Sequence, residues 1–189
     1  MVAAVVCASP DSWGKVDAKF ERWLGRTTAR VLESGARVEV FVVGPTPVGA
    51  RGHADDNSDQ QLPPGTPPTI QRYPVRRVAA SQGRAFAQQL ARLVFDERSY
   101  EPRLYPFGRT EMKACAFVPG VAFRVWARTR AVDVLVSFAC DEIAVAYVGG
   151  KREMLVGDID PARAAFVRLA KSALADVPEV TTLSEVRPK

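Results

Sequence analysis

At 189 residues, with 47% hydrophobic and 25% charged side chains, the chain has the composition of a globular protein, which excludes a disordered or fibrous class. Three cysteines, Cys7, Cys115 and Cys140, are too few, and odd in number, for the disulfide framework of a small secreted module. The net charge of +5 comes from 26 basic residues spread along the chain and not gathered into one block, which points away from nucleic acid as a partner.

The first apolar run, Val2 to Ala8, is too short to span a bilayer and has no basic stretch before it, so it reads as a strand and not as a signal. No membrane span is expected. The default expectation is a soluble cytoplasmic chain, with export of a processed form left open. Ser9 to Ser12 supplies N-cap chemistry, and Val16, Phe20, Trp23, Leu24, Thr27 and Val31 then recur at helical spacing up to Gly35. This predicts one helix over about Trp13 to Ser34. Arg22, Arg26 and Arg30 form a basic stripe on it, but Asp17, Glu21 and Glu33 share the helix, so a solvated face is the first reading and an anion site the second.

Arg37 to Val43 alternates and then turns wholly apolar, which predicts a strand. The segment 44–69 holds six prolines and four glycines and cannot bury enough apolar surface to offset the entropy of ordering it, so it reads as a mobile or functional insertion. Thr69 to Val78 resumes as a strand that Pro74 confines to an edge or a bulge. Ser81 is placed to cap a helix carrying Phe86, Leu90, Leu93 and Val94 and ending near Asp96. Residues 97–113 look like a connecting loop.

From Ala114 the period changes to two. Ala114 to Val118, the turn Pro119-Gly120 and Val121 to Ala127 suggest a hairpin, and Val132, Val134, Val136 and Phe138 share one face of the next strand. Glu142 to Val148, Gly149-Gly150 and Lys151 to Val156 suggest a second hairpin. Asp160-Pro161 then offers a cap and a first helical position, Phe166, Leu169, Ala170, Ala173 and Leu174 form the apolar stripe, Arg163, Arg168 and Lys171 point elsewhere, and Pro178 marks the stop. The resulting fold class is α+β: a largely antiparallel sheet of about six or seven strands, with a C-terminal meander, packed against about three helices in a single domain spanning 1–189.

Lys113-Ala-Cys-Ala-Phe-Val-Pro-Gly-Val-Ala-Phe-Arg, Val132-Asp-Val-Leu-Val-Ser-Phe-Ala-Cys-Asp-Glu and Asp158-Ile-Asp-Pro-Ala-Arg together resemble a family of uncharacterised bacterial proteins without an established function. The resemblance covers roughly Ala36 to Leu183. Such proteins often show Cys-Phe-x-Cys where this chain has Ser137-Phe138-Ala139-Cys140, so the paired thiol that would favour a redox or metal strand is missing here.

Three candidate chemistries remain. Cys115 and Cys140 form a possible thiol site, and strand parity puts Cys140 on the buried face, which favours plain packing first, a disulfide second and a reactive or metal-bound thiol third. The acids Asp141, Glu142, Asp158 and Asp160 are the next group, but neighbours on an extended strand point to opposite faces, so Asp141 and Glu142 should not share a substrate. Nucleotide and serine-hydrolase readings fail for want of a glycine cradle or a nucleophile elbow, and the one histidine, His53, lies in the proline-rich segment. No cofactor and no metal site is therefore expected. The reading leans to a non-catalytic binding or interaction domain, with a protein partner possible, and keeps a thiol redox or metal-binding protein as the alternative. Anion binding through the arginines stands third and would weaken steeply with salt.

Overall fold

The computed structural model describes residues 16–45, 68–101, 115–150 and 154–187. The expected N-terminal strand, the Ser9–Ser12 cap, Cys7, His53 and most of the 44–69 insertion lie outside them. Asp17 accepts the Lys19 amide at 2.9 Å and opens α1 (Ala18–Leu24). Gly25 then takes φ +75° and α2 (Arg26–Glu33) follows, so the single helix expected up to Ser34 is two. The left-handed conformation at the break is one that glycine takes without steric cost. Because Phe20, Leu24, Val31 and Leu32 all stay buried across it, apolar spacing alone could not reveal the interruption.

Strand β1 (Arg37–Val43) has the expected bounds. The expected Thr69–Val78 strand is two, β2 (Thr69–Ile70) and β3 (Tyr73–Val78), folded back at Gln71 and Arg72 with φ +48° and +71°. Two successive positive φ angles make a tight hairpin turn, and neither residue is the glycine or asparagine that would signal one. Near Pro74, the β1–β3 register shifts between Val42 and Val43, the irregularity a proline favours. Gln82 exchanges both backbone hydrogen bonds with Val38, which keeps Ser81 and Gln82 out of the helix. Helix α3 (Arg84–Phe95) is thus capped by Gly83 without a side-chain bond, correcting the assignment to Ser81.

The meander consists of β4 (Val121–Ala127), β5 (Arg130–Ser137), β6 (Glu142–Tyr147) and β7 (Leu155–Asp158). Its first hairpin joins β4 to β5 at Arg128-Thr129, and the expected strand before Pro119 does not form over residues 116–118. Pro119 has no N–H to give a ladder, and Cys115 is tied elsewhere. β6 and β7 do pair as a hairpin, but the second strand is Leu155–Asp158 where Lys151 to Val156 was expected, and Gly149 takes φ +80° in the connection, of which residues 151–153 lie outside the described ones.

All seven strands pair antiparallel in the order β2-β3-β1-β4-β5-β6-β7. Val132, Val134 and Val136 lie on the face that packs with Val40, Phe123 and Ile143 against Leu32 of α2, Leu90 of α3 and Phe166. The opposite face carries a smaller cluster around Phe41, Ala122, Leu135 and Ala144. Asp158 accepts the Asp160 amide at 3.0 Å, so Asp160 is not the cap but the first residue of a 3-10 turn (Asp160–Ala162) leading into α4 (Arg163–Ala173). Pro178 begins α5 (Pro178–Thr181) and is not a stop, since its fixed φ suits a first helical position. Among the described residues no helix is long and apolar enough to cross a membrane.

Candidate functional site

Strand β5 ends at Ser137, and residues 138–141 turn the chain into β6, with Asp141 at φ +55°. Cys140 sits in this turn, fully buried, and is disulfide-bonded to Cys115 with a Cα–Cα distance of 5.9 Å. The burial expected from strand parity is present. The packed free thiol is not, because Cys115, exposed on the irregular segment before β4, reaches it.

Asp141 is buried beside Cys140, and its carboxylate accepts from the guanidinium of Arg163. Arg163 also donates from Nη1 to the Phe138 carbonyl at 2.7 Å and from Nε to the Ser184 carbonyl at 3.1 Å. This corrects the expectation that Arg163 points away from the core: only 6% of it is exposed, and those acceptors are what allow a guanidinium inside. Arg187 brings a second cation, with Nε 3.7 Å from Asp141 and Nη1 3.8 Å from Asp160. Burial pushes the Asp141 carboxyl above its ordinary value, Arg163 opposes this, and the nearby Asp160 adds to it.

Backbone pairing brings the segments that carry Asp141, Glu142, Asp158 and Asp160 side by side, and Asp160 lies near the Asp141 carboxyl. Glu142 lies opposite Asp158 in the β6–β7 register, and the Asp141 carbonyl accepts the Ile159 amide at 2.7 Å. The cluster is organised by arginines: Asp141 faces Arg163 and Arg187. Among the described residues no three histidine, cysteine or acidic side chains gather as a metal site.

A second buried ion pair escaped the sequence reading. Asp133 on β5 is fully buried and takes Nε and an Nη of Arg124 at 2.7 and 3.0 Å, with Gln71 donating at 2.9 Å. An acid inside Val132-Asp-Val-Leu-Val, directly across the β4–β5 hairpin from an arginine, was the available signal.

A concave feature lies on a different part of the molecule. The late turns of α2, the start of α3 and the β4–β5 turn enclose a cleft of about 670 Å³, lined by Arg30, Arg84, Arg128 and Arg130 together with Thr27, Ser34 and Thr129. Of the expected stripe only Arg30 lines it: the break at Gly25 puts Arg22 on a separate helix, and Arg26 at the start of α2 is not among the lining residues. Arg84, Arg128 and Arg130 are scattered in sequence, and nothing in their spacing announces that they meet.

Comparison with models of known protein families, with curated proteins and with solved structures finds no match. The site must therefore be interpreted from its own geometry.

Proposed function

We propose that this chain is a non-catalytic binding domain in which Cys115 and Cys140 form a covalent staple and are not the working chemistry. The supporting observation is the surroundings of Cys140. It is fully buried next to Asp141, where the β5–β6 turn, the start of α4 and the residues around Ser184 meet through Arg163. A disulfide wrapped this way acts on the unfolded chain: the 25-residue separation corresponds to about 3.5 kcal/mol of loop entropy. Such bonds persist where thiols are oxidised, so this reading also replaces the cytoplasmic default with an oxidising compartment.

The test is a Cys115→Ala/Cys140→Ala variant and the reduced protein, both followed by chemical denaturation. Each should lose stability by that amount, and the oxidised protein should resist glutathione. The second reading, a thiol redox protein, draws on the exposure of Cys115, the sulfur an external dithiol would attack to release the Cys140 thiol while itself becoming a disulfide. Rapid exchange with glutathione at unchanged stability would favour it over the staple.

A further inference from the structure

We propose that the arginine-lined cleft between α2, α3 and the β4–β5 turn binds a compact phosphate-bearing small molecule. The inference rests on the binding-domain reading and names the ligand class for it.

Four arginines, Arg30, Arg84, Arg128 and Arg130, line one concavity of about 670 Å³, and none of the described residues lining it is acidic. Elsewhere among the described residues several arginines are matched to carboxylates, Arg37 with Glu39, Arg77 with Asp176, Arg124 with Asp133, Arg163 with Asp141 and Arg168 with Glu185, while Arg22, Arg26 and Arg76 stand singly and are not gathered in a concavity. The four in the cleft have no such partner among the described residues. Gathering four like charges without a counter-charge raises the energy of the empty site, and an anion removes that cost.

Chemistry then narrows the anion. Arginine presents a planar fork that pairs with phosphate or carboxylate through two parallel bonds, and every cation here is arginine. The hydroxyls of Thr27 and Thr129 add short donors of the kind that suit the many acceptor positions of a phosphate, while that of Ser34 donates to the Arg30 carbonyl at 2.6 Å. Helix α3 begins at the cleft with Arg84, and its first turn holds no acid and no side-chain cap, so its dipole favours the same sign of ligand. Size argues for a small molecule, since the volume falls within the few hundred to about 1,000 Å³ typical of ligand pockets. The described lining contains no aromatic residue on which a single-stranded base could stack, which disfavours nucleic acid.

Backbone strain at the rim is an independent indication. Arg128 holds φ +55° in a two-residue hairpin turn, where glycine would be the low-energy choice. A bulky side chain is strained in that conformation, which Gln71, Arg72 and Asp141 share elsewhere in the molecule, and such strain concentrates at ligand clamps and switch regions.

The experiment is calorimetry of the full-length oxidised protein with tripolyphosphate, citrate and a single-stranded oligonucleotide as probes. Tripolyphosphate should bind one to one, more tightly than citrate, and more weakly as salt rises. Arg84→Gln/Arg130→Gln should weaken it by about tenfold or more, the loss expected for charge-assisted hydrogen bonds. Arg128→Gly should also weaken it while raising Tm, which separates loss of binding from loss of folding. Absence of tripolyphosphate binding at low salt, equal affinity for citrate, tighter binding of the oligonucleotide, or binding unaffected by these substitutions each overturns the proposal. None of those outcomes touches the staple reading, which is decided by stability and thiol exchange.

Discussion

At the scale of single residues, Arg163 has the most to lose. It is buried, it neutralises a buried carboxylate, and it holds two carbonyls that belong to different parts of the chain. Arg163→Leu strands Asp141 without its nearest cation and should cost about 3–5 kcal/mol in denaturation experiments. Arg163→Leu/Asp141→Leu should recover part of that loss, because removing both charges also removes their desolvation, and the resulting double-mutant cycle measures the coupling. Tyr100 sets a different sensitivity. Its hydroxyl donates to the Val94 carbonyl at 2.7 Å, and burial pushes its pKa well above the ordinary 10.0. In the unfolded chain the phenol ionises near 10.0 while in the folded chain it keeps its proton, so its contribution is intact below that pH and is lost as pH rises further. Stability should therefore fall on the alkaline side of that value, and Tyr100→Phe should flatten the decline while costing about 1 kcal/mol at neutral pH for the missing hydrogen bond.

Among the elements, α4 carries the clearest burden. Phe166, Leu169 and Ala170 are all buried, and Phe166 is among the largest side chains with no exposure. Phe166→Ala should lower stability by about 3–5 kcal/mol, and an unchanged Tm would remove α4 from the core. This helix, β1, β5 and β6 were legible in the sequence because in each a periodic or continuous apolar run coincides with burial. The breaks within patterns were not. Gly25 interrupts a helix whose apolar repeat continues on both sides, and Gln71-Arg72 turns a strand without turn-forming residues. The candidate site was legible to a lesser degree. Cys140 was expected to be buried, yet its partner and the inward course of Arg163 depend on how the segment before β4 and residues 184–187 return to the β5–β6 turn, which local spacing does not encode. The arginine cleft assembles from α2, α3 and a hairpin tip far apart in the chain, so only the folded structure brings its charges together.

Over the whole molecule, the order of the strands has a consequence in time. From β5 to β7 each strand pairs with the one that precedes it, so this half closes by short loops. The junction between β1 and β4 joins Val40 to Phe123, partners separated by nearly half of the chain. Closing so long a loop is slow, and it can be rewarded only after β4 has a partner on its other side. Pulsed hydrogen exchange during refolding should therefore protect the amides of β5 and β6 before those of β1. Early protection of β1 would reverse that order. Until the junction forms, the inner edge of β4 presents an unpaired row of backbone donors and acceptors next to Phe123 and Val125, and in that interval one chain can add to another. Yield on refolding should then depend on concentration during that window and become independent of it once β1 has docked.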